Sequence, residues 1–489
     1  MTTHTVEKIG GTSMSRSDEL IDTLFVNGFE GDALYSRVFV VSAYGGITNL
    51  LLEDKKTGAP GCYGLFSAAD SSLGWSEALD TAFDAMQERH NALLDHPGDR
   101  RAADNFLRER IEGARSCLID LQRLCSYGHF RLDEHMMTIR ELLSGLGEAH
   151  SAYVTVLMLQ RRDVNARFVD LTGWRDDSQP SLEERIAGAF ADIDLASELP
   201  IVTGYAQCRE GLMREFDRGY SEVTFARIAA QTGAREAIIH KEFHLSSADP
   251  KVVGADRVVK IGRTNYDVAD QLSNLGMEAI HPRAAKILRQ ADIPLRVANA
   301  FEHRDPGTLI GNETGGAPRV EMVTGLELIA IEVFEQDMVG VKGYDAAILR
   351  ALTRHDVWIV SKTSNANTIT HYVQPSLKQV RRVERDILEE YPSAEVRLQK
   401  VALVSAIGSS LQGLAVARRG LNALAEAGIE PIAVQQTGRN VDVQFIVEAD
   451  RQLDAIRALH AALVEQAEAA APGGDGETAD PTAAIRPAA

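Results

Sequence analysis

Short apolar runs alternate with helical patterns from the start of the chain to about residue 300. Val38 to Val41, Ala166 to Val169, Leu199 to Thr203, Glu236 to Ile239 and Pro294 to Ala298 each read as a strand. Runs that are apolar throughout suit strands covered on both faces, so the pattern predicts α/β order with a mainly parallel sheet sandwiched by helices. Between about 52 and 160 the period lengthens. Ala82 to Leu94 and Asn105 to Leu124 carry apolar residues three and four apart, which predicts a largely helical excursion beside the sheet.

Asp305-Pro306-Gly307-Thr308 and Gly311 to Pro318 are rich in turn residues, and the strand pattern restarts at Arg319. We therefore expect a domain over 1–304, a linker over 305–319, and then one small unit twice, over 320–395 and 396–468. The first unit comprises Leu326 to Val333, a helix near Tyr344 to Arg354, Val357 to Ser361 and Thr368 to Val373. The second comprises Val396 to Ser405, a helix through Gly413 to Ala427, Ile429 to Gln436, Val441 to Val447 and a closing helix from Asp450 to Glu465. Each reads as a ferredoxin-like βαββαβ unit. Residues 469–489, rich in Ala, Gly, Pro and acids, cannot bury enough apolar surface to order themselves.

The 489-residue length predicts two to four units, and 45% hydrophobic with 25% charged residues is ordinary globular composition. A formal net charge of −19 argues against nonspecific nucleic-acid or anionic-membrane binding. Cys62, Cys117, Cys125 and Cys208 lack C-x-x-C spacing and read as small buried hydrophobes in a reducing compartment, with no disulfide framework. With no signal sequence and no long uninterrupted apolar stretch, the expected location is the cytoplasm.

Two segments carry candidate chemistry. Val6-Glu7-Lys8-Ile9-Gly10-Gly11-Thr12-Ser13 leads from an extended segment into two glycines, two hydroxyls and a helical pattern. Glycines admit a phosphate close to the backbone, N–H groups at a helix start point at the anion, and a lysine adds full positive charge. The order differs from a P-loop, since the lysine precedes the glycines. Arg37 to Val41 likewise ends abruptly in Ser42-Ala43-Tyr44-Gly45-Gly46-Ile47-Thr48-Asn49. Ligands of open α/β sheets bind beyond the carboxyl ends of the strands, so the two loops suggest one crevice.

Lys8 to Ser13 and Val40 to Asn49 resemble the N-terminal signatures of aspartate kinases. Gly147 to Ala152, Arg218-Gly219-Tyr220-Ser221-Glu222-Val223-Thr224, Ser246 to Lys251 and His281-Pro282 follow in that family's order and spacing. Glu7 to Met14 and Arg218 to Glu222 most resemble the branch associated with ectoine synthesis. The resemblance implies an amino-acid kinase fold followed by two ACT repeats, and transfer of phosphate from ATP, with Mg²⁺, to the β-carboxylate of L-aspartate. It places Lys8, Gly10, Gly11 and Ser13 at the phosphates, and His240, Lys241, Ser246, Lys251 and Glu278 at the nucleotide. Arg218 would take the α-carboxylate as a bidentate pair, Glu148 and Glu222 would lie near the ammonium, and Ser42 and Thr48 would add polar contacts. Lys8 and Glu222 are the expected catalytic groups.

The chain departs from the family pattern at several of these positions. Glu222 stands where aspartate is usual, Ile239 to His244 replaces a Trp-Thr-Asp stretch, Glu278 replaces a lysine and Lys251 an arginine. Lys241 and Glu278 read as a charge pair of reversed sign beside the nucleotide. His240 and His244 share the spacing of helical zinc ligands, but they follow an apolar strand and no ligand cluster follows, so no metal-ligating residue is assigned. In the repeats, Met338, Val339 and Gly340 and then Asn365 and Asn367 sit in loops that bind lysine or threonine in related kinases; they read equally as loop caps in repeats that only join a homodimer. Two other readings stay open: another kinase of the same fold acting on a glutamate-like substrate, and an amino-acid sensor that has lost turnover.

Overall fold

The computed structural model describes residues 4–26, 29, 33–55, 57–68, 72–216, 219–275, 280–312, 317–374 and 376–466. The chain forms two compact units. The first takes the chain up to Leu245 and again from Lys260 through the eighth strand; the second takes Ser246–Val259 and the chain from the ninth strand onward.

The first unit is built on β1 (Thr5–Ile9), β2 (Arg37–Val41), β3 (Ala166–Val169), β4 (Leu199–Thr203), β5 (Glu236–Lys241), β6 (Arg263–Asn265), β7 (Leu295–Asn299) and β8 (Thr308–Gly311). They form one eight-stranded sheet in the order β3-β4-β2-β1-β5-β7-β8-β6. All pairs are parallel except β7 with β8. Every residue of β1, β2 and β4 is buried, as expected of strands covered on both faces. The helices Ser72–Leu93, Pro97–Cys125 and Met136–Gln160 form the helical excursion. Leu132–Gln160 is long and apolar enough to cross a membrane, but 83% of its apolar window is buried inside the protein, which makes it a core helix.

Two features of this sheet differ from the sequence reading. Thr308–Gly311 lies in the segment read as a linker, yet it is a strand, because Pro306-Gly307 turns the chain back so that Ile310 pairs with Leu295. β6 is only three residues long and carries no apolar alternation, so pairing alone reveals it.

The second unit contains β9 (Arg319–Phe334), β10 (Ile359–Ser364), β11 (Thr368–Val373), β12 (Glu395–Ser409), β13 (Ala433–Gln436) and β14 (Asp442–Glu448), in the order β10-β11-β9-β12-β14-β13. β9 and β12 pair antiparallel along their whole lengths. The later part of β9 and the early part of β12 serve one βαββαβ repeat, packed under Tyr344–Arg354 and Leu377–Glu390. The later part of β12 pairs with β14 and, through the early part of β9, completes the other. The repeats are thus interlocked rather than strictly sequential: the fourth strand of the second comes from Arg319 onward, before the first begins. Ser361 of β10 donates to Gln444 of β14 at 2.7 Å, so the sheet curls over on itself. Ser246–Val259 packs into this unit: Ser247 Oγ lies 2.8 Å from His460 Nε2 and its carbonyl accepts from Val323 N–H.

Candidate active site

β1 delivers Lys8 to the carboxyl end of the sheet, and the chain turns at once through Gly10 into a single helical turn, Gly11–Met14. The loop after β2 lies against it. A Cβ on Gly11 would stand 2.7 Å from the Ala43 carbonyl, which is why this position takes no side chain. Ser15 Oγ clasps the two loops, accepting from Gly45 N–H at 2.8 Å and donating to the Gly11 carbonyl at 3.1 Å. Ser42 N–H in turn donates to the Ile9 carbonyl. The two glycine-loop segments therefore share one crevice.

Helix Tyr220–Thr232 covers the face of β1 that carries Lys8 and brings Glu222 to it. Lys8 Nζ lies 3.4 Å from Glu222 Oε1, and Lys241 Nζ lies 3.9 Å from the same oxygen. His281 N–H donates to the other carboxylate oxygen. Burial opposes ionisation of Glu222, but Lys8, Lys241 and the His281 N–H outweigh it and hold the carboxyl below its ordinary range. Glu222 is itself buried. Arg218 itself and Glu278 lie outside the described residues, so Lys241 is placed by its contact with Glu222.

Glu148, on helix Met136–Gln160, is also fully enclosed, and its Oε2 has no hydrogen-bond partner among the described residues. Burial pushes its pKa up to about 8, against the opposing pull of the Tyr205 backbone, Lys8 and Tyr220. Ser151, three residues on, donates to the Ser42 carbonyl at 2.9 Å and ties this helix to the β2 loop. Ser42 Oγ is 3.5 Å from Ser221 Oγ, and Thr48 is half-buried on the short helix Ile47–Leu51.

Several expected nucleotide contacts are placed differently. Ser13 donates its hydroxyl to Glu242 at 2.5 Å. His240 is turned away from Lys8: side chains alternate along a strand, so Lys241 shares the face of Ile239, the register partner of Lys8, while His240 points to the opposite face. There its Nε2 lies 2.7 Å from Glu7 Oε2, and Arg37 donates to Glu7 through Nε at 2.8 Å and Nη2 at 3.2 Å. His244 lies 3.0 Å from Glu302, so the two histidines have separate partners. His244, Glu302 and Asp305 do cluster, but the Lys260 ammonium already sits on Asp305. Ser246 and Lys251 belong to the second unit.

The loops of the first repeat are occupied by their own turns. Met338 is buried in that repeat's core, Val339 is 62% exposed, and Gly340 takes a φ of +91°. Asn365 Oδ1 accepts from Asn367 and Thr368 N–H, and the Asn367 carbonyl accepts from Glu335 N–H.

The sequence model of the amino acid kinase family matches residues 4–299. Aspartate kinase Ask_Ect of Stutzerimonas stutzeri is 54% identical over 464 residues, covering 94% of this chain and 98% of that protein. The chain belongs to the aspartate kinases. Lysine-sensitive aspartokinase 3 of Escherichia coli is 23% identical over 94% of this chain and 99% of its own length. The crystal structure of E. coli aspartokinase III with aspartate and ADP has the same fold, with a TM-score of 0.68 at 20% identity over 94% of this chain and 99% of that one. The structure adds to this kinase's site Glu242, Ser15 and Ser151. None of these has a distinctive spacing, and only tertiary packing brings them to the loops.

Proposed function

We propose that this kinase transfers the γ-phosphoryl group of MgATP to the β-carboxylate of L-aspartate, giving 4-phospho-L-aspartate. The observation that carries this reading is the convergence, at the carboxyl ends of β1 and β2, of a buried lysine beside a glycine loop with two buried carboxylates, Glu148 and Glu222. The carboxylate nucleophile is already ionised near neutral pH, so no general base is needed, and the work of the site is positioning and charge neutralisation. Lys8 neutralises phosphoryl oxygens, Gly10 and Gly11 let the phosphates approach the backbone, and Glu148 receives the substrate ammonium. Arg218 is assigned to the α-carboxylate on the family pattern alone. Mg²⁺ is a hard cation that takes oxygen ligands, and besides the phosphates the site offers it the carboxylate of Glu242 beside the Ser13 hydroxyl.

The product is a reactive acyl phosphate on the way to aspartate semialdehyde, and the likeness to Ask_Ect favours the ectoine branch over lysine, threonine and methionine supply. A homodimer joined through the repeats belongs to this reading; β10 is a terminal strand of its sheet, and the adjoining Trp358 is 65% exposed. The test is ATP- and Mg²⁺-dependent capture of the acyl phosphate by hydroxylamine, with wild type and Lys8→Ala, and with and without lysine plus threonine. We expect product from wild type, a loss of at least about 100-fold in Lys8→Ala, and no effect of the two amino acids. A folded wild type that yields no product would overturn the assignment in favour of a sensor or a different acceptor.

A further inference from the structure

We propose that Lys241 is a second phosphoryl-binding cation, forming with Lys8 a two-lysine clamp on the transferring group, and that Glu222 bridges the clamp. The inference rests on the kinase reading above. It starts from register: Lys8 of β1 is paired with Ile239 of β5, and Lys241 lies two residues further on the same face. One pleat repeat carries Lys241 about 7 Å further toward the carboxyl end of the sheet, where the glycine loop opens. Both ammonium groups come within 4 Å of Glu222 Oε1, so their nitrogens lie within roughly 7 Å of each other. The phosphate loop is on the same side, since a Cβ on Gly10 would stand 3.9 Å from Lys8 Nζ.

Glu222 is suited to hold this arrangement before the nucleotide binds. Its second oxygen is fixed by His281 N–H, which leaves Oε1 turned to both lysines. The carboxylate is one methylene longer than the aspartate of the family pattern, and Lys241 falls in the stretch that replaces that pattern's Trp-Thr-Asp. The two departures belong together: the longer carboxylate reaches a lysine arriving from β5 while still holding Lys8. In the reaction an oxygen of the substrate β-carboxylate forms a bond to the γ-phosphorus, and the bond from that phosphorus to the β,γ-bridging oxygen breaks. Its electron pair stays on ADP and no proton moves. Two fixed ammonium groups stabilise the charge spread over the phosphoryl oxygens as this happens.

The test compares wild type, Lys241→Met and Lys241→Arg by calorimetric binding of ADP and of the β,γ-imido analogue of ATP, both with Mg²⁺, alongside hydroxamate turnover. A cation that touches the γ-phosphoryl group affects only the ligand that carries it. Lys241→Met should weaken the imido analogue about 10-fold, leave ADP within about 2-fold, and lower kcat about 100-fold with KM for aspartate little changed. Lys241→Arg should recover a large part of the loss, and it serves as the readable variant if Lys241→Met does not fold. Equal weakening of both nucleotides, or no change in either, would overturn the clamp. Failure of wild type to phosphorylate aspartate would overturn the kinase reading, while the difference between ADP and the imido analogue would still judge Lys241.

Discussion

Glu148 shows how a single enclosed side chain sets a pH dependence. Its carboxyl titrates near 4.5 when exposed and is pushed up to about 8 in the folded chain. Between those values the folded protein holds a proton that the unfolded chain has lost. The stability linked to this group is therefore complete below about pH 4.5 and declines as pH rises toward 8. An incoming ammonium favours the ionised carboxylate, so aspartate binding should release a proton at pH 7. Affinity should rise with pH by up to about tenfold per unit below that pKa. Calorimetry in two buffers of different ionisation enthalpy measures the proton directly. Glu148→Gln should abolish both the release and the pH slope, and a wild type that binds aspartate with no proton release would contradict the role. The identity of Glu148 as a candidate came from the family pattern in the sequence; its raised pKa did not, because it depends on enclosure by residues distant in the chain.

At the scale of elements, the parallel strands were legible and the charged network that ties three of them was not. β2 and β5 read as apolar runs and β1 as an extended segment, yet Glu7, Arg37 and His240 join them across the sheet on the face opposite Lys8. Arg37 also donates to the Leu24 and Phe25 carbonyls. Burial alone would disfavour the ionised form of Glu7, but Arg37 and His240 reverse this and hold its carboxyl far below the ordinary range. Stability from this network is thus present above about pH 4.5 and is lost as pH falls toward the depressed value. Arg37→Ala strands a buried carboxylate, and we expect about 3–5 kcal/mol of destabilisation in urea unfolding at pH 7. The deficit should shrink in acid, where Glu7 of the variant takes up a proton. A loss below about 1 kcal/mol would mean that the pair is dispensable. The central strand β1 presents Glu7 and Lys8 on opposite faces, so this deficit should bear on the placement of Lys8 as well.

At the scale of the whole molecule, the interlocking of the repeats has a direct consequence for truncation. β9 and β12 each serve both repeats, so a chain ending at residue 395 would leave the whole length of β9 without its β12 partner. We expect such a chain to lose cooperative unfolding and to aggregate, whereas a chain ending at residue 466 should melt as wild type does; differential scanning calorimetry distinguishes the two. A soluble, cooperatively folded product ending at 395 would refute the interlock. The sequence by itself determined the fold class, the position of most strands and the two glycine loops, because hydrophobic period and turn chemistry are local properties of the chain. It also determined the kinase family, through an ordered set of short segments. Only the tertiary structure decided that β8 is a strand, that the repeats share β9 and β12, that His240 turns away from Lys8, and that Lys8 and Lys241 meet at Glu222. Each of these depends on register between segments far apart in sequence, and a shift of one residue in a strand sends its side chains to the other face.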